Sequence, residues 1–269
     1  MRALIAIDDT DNQESVGTGR LARMLADFLA EKGLVNKSSV TRHQLLVHPD
    51  IPYTSHNSCA CIEAEILPYP PLANAKSEER PLVGRGIDGS PLQKTDVENS
   101  VEEIAAYSMA FLIENYHEGA DPGLCVVDGA AVPAALPEFG FRAQREVIKT
   151  DDAKRLAEEL GVFTWWSGEP WRGCIGAMAG VGLRSTENDG RFIGLDGIRE
   201  LKGTLCVSEI IRSSRIRRVA TASGQTLDDR EIVDTQNWAR PSLLQGEAVL
   251  VVVKHGDVWR PAEDKKGKP

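Results

Sequence analysis

The sequence predicts an α+β protein built from two lobes. The first half reads, in order, as strand, helix, strand, strand, helix and strand, over residues 2–7, 18–32, 39–47, 58–66, 97–116 and 124–127. The second half combines one clear helix with several strands, over residues 151–160, 204–211, 215–221, 230–233 and 247–254. The hydrophobic content of 42% and the charged content of 26% are those of a chain that buries a core.

The helices are predicted from apolar residues that recur with the helical period. In 18–32 one face carries Leu21, Met24, Leu25, Phe28 and Leu29. Thr18 is the predicted N-cap of this helix and Gly33 its C-terminal stop, while Gly161 is the stop of the helix over 151–160. In 97–116 the inward face is predicted to hold Val97, Val101, Ile104, Ala105, Ser108, Phe111 and Leu112.

The βαββαβ order of the first half is typical of a ferredoxin-like unit, in which a four-stranded sheet carries two helices on one face. The segment 67–94 is rich in Pro, Gly and charge and lacks periodicity, so it is predicted to be a long loop. We place the lobe boundary between residues 118 and 119. The first lobe (1–118) then holds the acidic cluster described below, and the second (119–269) is an α+β lobe with a Gly-rich segment.

Composition narrows the classes of function. The net charge of −9 argues against a basic body that binds nucleic acid as a whole. The cysteines are odd in number and scattered, with no CxxC spacing, which indicates reduced thiols and a cytoplasmic protein; they are Cys59, Cys61, Cys125, Cys174 and Cys206. Cys59 and Cys61 are predicted to share one buried strand face. No stretch approaches the roughly 18 apolar residues of a membrane helix.

Three carboxylates follow the first strand, in "IDDTDNQESVGTG". Asp8, Asp9 and Asp11 repel one another unless a cation or several donors hold them, and hard oxygen ligands suit Mg²⁺. Gly17, Thr18 and Gly19 then open a helix, where free N–H groups favour a phosphate. The pattern therefore predicts a metal–phosphate site. Turn and capping chemistry is the alternative, because aspartate side chains often bond nearby backbone N–H groups.

A second alternative is the nucleophile motif of haloacid dehalogenase phosphatases. That motif reads D-x-D-x-[TV] at the end of a strand. Here it begins at Asp9 but has Gln13 where Thr or Val belongs. The βαββαβ order also differs from that fold, so the metal–phosphate site is the stronger hypothesis.

Four stretches together resemble a known family, the archaeal isoleucine-tRNA agmatinylcytidine synthetases (TiaS). They are "IAIDDTDNQESVGTGRLA", "HPDIPYTSHNS", "DPGLCVVD" and "RGCIGAMAGVG". The resemblance covers the family's two N-terminal domains, which are kinase-like and ferredoxin-like, and continues more faintly through "DTQNWARP". The resemblance implies that the protein binds ATP and Mg²⁺ and activates a tRNA cytidine by phosphorylation. It also implies that Asp8, Asp9 and Asp11 are metal and phosphate residues and that Thr18 is the family's phosphorylated threonine.

The chain also departs from the family pattern. The family's OB-fold and zinc ribbon have no counterpart in these residues. Its Lys-Thr-Arg-Gly-Asn run corresponds to "TSHNS" over 54–58, without either basic residue. The loss weakens the neutralisation of phosphate. We expect His56 and Asn57 to face the cofactor there, and the acceptor substrate stays open.

The Gly-rich stretch after Arg172 has two interpretations. Gly173 and Gly176, with the glycines at 180 and 182, allow a close approach of either a ligand or another helix. With the resemblance we favour a wall of the ATP site, Arg172 contacting phosphate. For the remaining singled-out residues a structural role is the favoured prediction. Trp165, Trp166 and Trp171 are predicted to be core or lid residues. A solvated or salt-bridged face is predicted for Arg212, Arg215, Arg217 and Arg218, and a structural or surface role for His43 and His48.

Together these features predict an ATP- and Mg²⁺-dependent phosphoryl-transfer enzyme of the TiaS type. Its acceptor is a nucleotide or an RNA-related substrate. The alternatives are a nucleotide-binding module without turnover and an RNA-binding partner protein.

Overall fold

The computed structural model describes residues 1–12, 16–51, 57–67, 101–167 and 171–262. The predicted loop over 67–94 lies, beyond Leu67, outside the described residues, as do Val97 and His56. Two compact units are present, Met1–Ser185 and Thr186–Pro269. The first unit therefore extends past the predicted boundary after residue 118, because the strand over 123–128 pairs with the first strand of the chain.

The first unit is a sheet with helices against it. Its elements, in chain order, are β1 (Arg2–Asp8), α1 (Thr18–Glu31), β2 (Val35–Gln44), β3 (Ser58–Ile66), α2 (Val101–Asn115), β4 (Gly123–Asp128), α3 (Ala135–Ala143), α4 (Thr150–Leu160), β5 (Phe163–Trp166) and α5 (Arg172–Ser185). The strand order is β5-β4-β1-β3-β2, and every neighbouring pair is antiparallel. The order β4-β1-β3-β2 is compatible with the predicted ferredoxin-like half, and the α+β class is confirmed.

Strand β1 is buried on both faces. Leu4 and Ala6 pack with α5 in one apolar cluster, to which Cys59 and Cys61 of β3 also belong. The predicted shared face of these two cysteines is thus confirmed. Alternation along the strand places Ile5 and Ile7 on the opposite face, and they are completely buried. A strand covered on both sides is typically a continuous apolar run, as "ALIAI" is.

Helix α1 confirms its predicted end and most of its predicted face, but Met24, which was expected on that face, is exposed. Leu21, Leu25 and Leu29 are buried, and Gly33 lies in the left-handed region at φ 70° with its N–H bonded to Ala30 O. The predicted N-cap is wrong, because Gly17 precedes the first helical residue and Thr18 begins the helix without a side-chain cap. The Thr18 hydroxyl is engaged elsewhere, in the acidic cluster.

Helix α3 has no counterpart in the sequence prediction. Its sequence "ALPEFGFRA" contains a proline and a glycine, which usually interrupt helices. Pro137 lies in the first turn, where no backbone N–H is needed. Gly140 faces α5, and a Cβ on it would meet Leu183 Cγ at 2.8 Å. Tertiary packing therefore outweighs the local preference.

The second unit is mainly strands. Its elements are β6 (Arg191–Gly194), β7 (Thr204–Cys206), α6 (Val207–Ser213), β8 (Arg218–Thr221), β9 (Ile232–Asp234), β10 (Ser242–Leu244), β11 (Glu247–His255) and β12 (Val258–Pro261). The strands follow the order β6-β10-β11-β12-β9-β7, and β8 pairs with β11 in parallel. Among the described residues, no helix is long and apolar enough to cross a bilayer.

One predicted strand of this unit is wrong. The expected strand over 204–211 ends at Cys206 and continues as α6. A capping box forms there, in which the Cys206 N–H donates to Glu209 Oε2 at 2.9 Å. Val207 and Ile210 are then buried together on one helical face, which a strand would have separated.

Candidate functional site

The acidic residues lie at one edge of the first sheet. Asp8, at the end of β1, pairs with Gly123 at the start of β4. Helix α5 runs antiparallel to β1, since Gly176 lies against Asp8 and Gly180, one turn later, against Ala6. Helix α1 follows β1 in the chain. The N-termini of α1 and α5, each the positive end of a helix dipole, therefore meet the carboxylates at this edge.

Asp11 and Thr18 form a direct contact. The Thr18 hydroxyl donates to Asp11 Oδ1 at 3.0 Å and accepts a hydrogen bond from Thr10 Oγ1 at 3.2 Å. Thr10 is fully buried and Thr18 nearly so, and the Thr10 carbonyl accepts from His117 N–H at 3.2 Å. These contacts hold Asp11 so that one of its carboxylate oxygens faces the Thr18 oxygen.

Asp8 is packed against the first turns of α5. A Cβ added to Gly176 would lie 1.7 Å from Asp8 Oδ2, so only glycine leaves room for this carboxyl. Burial raises the pKa of Asp8 to about 8, and the charges of Asp9, Asp11 and Asp121 add to the rise, against a backbone hydrogen bond at Asp9. Without a cation, Asp8 is therefore largely protonated at neutral pH.

Asp9 has an unusual backbone and an acidic neighbourhood. Its φ is 48°, in the left-handed region that aspartate tolerates better than most residues. The pKa of Asp9 is raised to about 6. Burial is the largest cause, the charge of Asp121 adds to the rise, and the guanidinium of Arg172 opposes it. Strain of this kind is found preferentially at functional sites.

Asp121 is a site residue that was absent from the predicted set. It is 7% exposed. Its Oδ2 accepts a hydrogen bond from the Arg172 N–H at 2.9 Å and lies 3.5 Å from Arg172 Nε. A signal was available in the sequence: Asp121 stands two residues before β4, and the antiparallel partner of β4 ends at Asp8. Residues that precede one strand and follow the other lie at the same edge of a sheet.

The predicted glycines face protein rather than open space. A Cβ on Gly173 would lie 2.1 Å from Asp121 O, and one on Gly182 would lie 2.0 Å from Leu136 O. Close helix packing, one of the two interpretations of this stretch, thus accounts for these positions. A ligand contact at Gly173 or Gly176 stays a prediction. At Gly17 an added Cβ would be in ordinary van der Waals contact with Asp11 Oδ2, at 3.6 Å.

Asn57 lies at the same edge, directly before β3, whose first residues pair with the end of β1. Its side-chain amide donates to Leu46 O at 2.6 Å, so this group holds the ends of β2 and β3 together. His56 is outside the described residues, and its predicted role at the cofactor stays a prediction.

The other singled-out residues are mainly structural. His43 is buried, with its Nε2 2.8 Å from the Thr41 hydroxyl. Trp171 is buried against Trp166, whose ring is 5.6 Å away. In the second unit Arg215 faces Asp196 at 3.8 Å and Arg218 pairs with Glu247 at 3.1 Å. These ion pairs favour the salt-bridged interpretation of the arginine segment.

The donor chemistry at the edge suits a hard cation, although protein ligands alone do not complete a site. Asp121 Oδ1 is buried and has no hydrogen-bond partner. Buried carboxylates that repel one another are stabilised by a bound cation. Within the described ranges, no three His, Cys, Asp or Glu side chains are placed to hold a metal ion. Mg²⁺ usually takes one or two carboxylates and fills its shell with water and substrate phosphates.

The raised pKa values predict how stability depends on pH in the absence of divalent cations. Asp8 and Asp9 ionise near pH 4 when unfolded but only near pH 8 and 6 when folded. The folded state therefore holds more protons between these values, and the free energy of unfolding should fall as the pH rises from about 4 to 8. Asp8→Asn keeps the shape and removes the titration. We expect its stability, relative to wild type, to rise over this range by on the order of 5 kcal/mol, at about 1.4 kcal/mol for each pH unit.

Urea denaturation at several pH values in the presence of a chelator measures this difference. Asp27→Asn is the control, because Asp27 is exposed on α1. A difference between wild type and Asp8→Asn that does not vary with pH would contradict the assignment.

Comparison with known proteins gives one curated relative of this chain. It is the isoleucine-tRNA 2-agmatinylcytidine synthetase TiaS of Pyrococcus horikoshii, 27% identical over 182 residues, which cover 66% of this chain and 35% of that enzyme. The chain thus spans about a third of the length of the curated relative. No protein-family model matches the chain. The resemblance to TiaS predicted from the sequence motifs is confirmed.

Solved structures of TiaS are also similar to the chain. Apo TiaS matches with 21% identity and a TM-score of 0.49 over 68% of this chain and 35% of that one. The complex of TiaS with its isoleucine tRNA and ATP matches with 22% identity and a TM-score of 0.49 over 68% of this chain and 36% of that one.

Proposed function

We propose that this protein is a TiaS-like, ATP- and Mg²⁺-dependent phosphoryl-transfer enzyme that acts on a nucleotide or an RNA-related substrate. One observation carries the proposal: the hydroxyl of Thr18 donates to Asp11 Oδ1 at 3.0 Å beside the partly buried carboxyl groups of Asp8 and Asp9. A carboxylate hydrogen-bonded to a hydroxyl is the arrangement of a general base and its nucleophile. The sequence similarity to TiaS supports ATP as the phosphoryl donor.

Each group has a role in the proposed mechanism. Arg172, at the start of α5, contacts the phosphates, and the free N–H groups at the start of α1 face their negative charge. Asp11 removes the proton of the Thr18 hydroxyl as its oxygen attacks the terminal phosphorus, and ADP leaves. Of the three predicted Mg²⁺ ligands, Asp8 and Asp9 are available while Asp11 acts as the base, and Mg²⁺ would neutralise charge on the phosphates. The phosphate on Thr18 is then available for transfer to the second substrate.

A binding module without turnover is the second candidate. A shortage of positive charge at the phosphates favours this candidate. Arg172 is the basic side chain whose charge acts on Asp9, and the two basic residues of the family's motif are absent from 54–58. Such a module would bind nucleotide at the same edge but leave it intact.

Incubation with ATP labelled in either the α- or the γ-phosphate, with Mg²⁺, distinguishes the two candidates. We expect label from γ-phosphate on the protein and the release of ADP, and both should fall at least tenfold in Asp9→Asn. The exposed carboxylate variant Asp27→Asn should behave as wild type. Thermal stabilisation by ATP without any product favours the binding module. If no nucleotide stabilises the wild type and Asp9→Asn changes nothing, both candidates are wrong.

A further inference from the structure

One oxygen of Asp121 has no partner although it is buried. The residue is 7% exposed, and Oδ2 is occupied by the Arg172 N–H, whereas Oδ1 makes no hydrogen bond. Buried polar atoms in native proteins are nearly always satisfied, and leaving one without a partner is costly, more so when it is charged. An unsatisfied buried carboxylate oxygen therefore points to a ligand.

The surroundings of Asp121 specify the sign of that ligand. Its charge acts on both Asp8 and Asp9, so the pocket edge carries several carboxyl groups. Among the described residues whose charges act on Asp9, Arg172 is the basic one, and its side chain is half-exposed. Several carboxyl groups next to an unsatisfied oxygen favour a cation over an anion or a neutral group.

Asp11 is less suited to the cation than its position in the sequence suggests. Its Oδ1 accepts the Thr18 hydroxyl, and Thr18 in turn accepts from Thr10. A carboxylate that binds a divalent cation through the same oxygen would be a poor base for this hydroxyl. The two tasks are therefore better divided between different aspartates.

We propose that Asp121, together with Asp9, provides the protein carboxylates of the divalent-cation site, while Asp11 serves the Thr18 hydroxyl. This inference rests on the proposed function, because the remaining positions of the cation are filled by water and nucleotide phosphates. Two protein carboxylates are the number that Mg²⁺ commonly uses. The same number agrees with the absence, among the described residues, of three side chains placed to hold a metal. Asp121 also orients Arg172 towards the same phosphates through Oδ2.

The test measures the binding of Mn²⁺ alone to the whole 269-residue chain and to Asp121→Asn. Binding is monitored through the electron paramagnetic resonance signal of the free ion. Asparagine keeps an oxygen for the Arg172 N–H but removes the charge. We expect at least a tenfold loss of Mn²⁺ affinity in Asp121→Asn and in Asp9→Asn. Asp27→Asn, on the exposed side of α1, should bind Mn²⁺ as wild type does.

Thermal unfolding without metal separates a ligand from a structural carboxylate. A cation ligand leaves an uncompensated charge in the empty site, so Asp121→Asn should be as stable as wild type or more stable, and should lose the Mn²⁺-induced rise in Tm. A lower Tm without metal and an unchanged Mn²⁺ response would show that Asp121 only anchors α5, which overturns the inference. Wild type that binds no Mn²⁺ overturns it as well.

The proposed function fails separately. If the wild type binds Mn²⁺ through Asp121 but neither binds nor cleaves ATP, the cation site is supported and the phosphoryl-transfer role is wrong.

Discussion

Replacing Thr18 by valine is expected to abolish the transfer of γ-phosphate from ATP to the protein, by at least 100-fold. Valine has nearly the shape of threonine but lacks the hydroxyl that donates to Asp11 Oδ1. The loss follows because valine has no oxygen that can act as the nucleophile. The measurement is protein-bound label after incubation with γ-labelled ATP and Mg²⁺, corrected for protein that remains folded.

Thr10→Val is the matched control for this experiment. Thr10 donates to Thr18 Oγ1 at 3.2 Å and is fully buried, so its replacement removes a neighbouring hydroxyl and leaves the Thr18–Asp11 contact. We expect Thr10→Val to keep transfer within about fivefold of wild type, with a stability cost of about 1 kcal/mol for the lost hydrogen bond. If Thr18→Val retains full labelling, Thr18 is not the acceptor.

Gly173→Ala is expected to have the largest effect on stability. Its Cβ would lie 2.1 Å from Asp121 O and 2.5 Å from Gly123 N, which are backbone atoms of the segment leading into β4. Because neither backbone can yield locally, α5 must move away from β4. We expect a loss of ~3 kcal/mol or more, or a fall in Tm of roughly 6–12 °C for a unit of this size. Calorimetry or thermal melting measures it.

Gly180→Ala provides the comparison on the same helix. An added Cβ there meets side chains, Cys59 Sγ at 3.0 Å and Ala6 Cβ at 3.1 Å. These neighbours can shift slightly, and alanine favours the helix by about 0.5–1 kcal/mol over glycine. We therefore expect a net change near zero. Equal losses in the two variants would mean that the close approach of α5 to β4 does not limit stability.

Local patterns predict much of the first unit because its elements have clear periods. The strand predicted over 58–66 has the same bounds in the structure. The ends of α1 and α4 follow from Gly33 and Gly161, both in the left-handed region where glycine is least strained. Helices α3 and α6 are missed because a buried face and a capping box, respectively, outweigh the residue preferences that the sequence displays.

The acidic cluster is predicted in part. Asp8, Asp9 and Asp11 are close in sequence, so their proximity follows from chain connectivity alone. That Asp11 is committed to Thr18 could not be predicted, since the helix could equally have used Thr18 as its N-cap. The choice depends on how the segment after β1 turns back against α1.

The sequence by itself determined the α+β class, the amphipathic helix after β1, the acidic character of the edge and the resemblance to TiaS. These properties depend on residues that are neighbours along the chain or on the period of one element. Only the tertiary structure decided that Asp121 and Arg172 join Asp8 and Asp9, and that Gly176 makes room for a carboxyl group. These contacts join segments that are at least 51 residues apart in the sequence, and they exist because β4 pairs antiparallel with β1 and α5 packs closely across both strands.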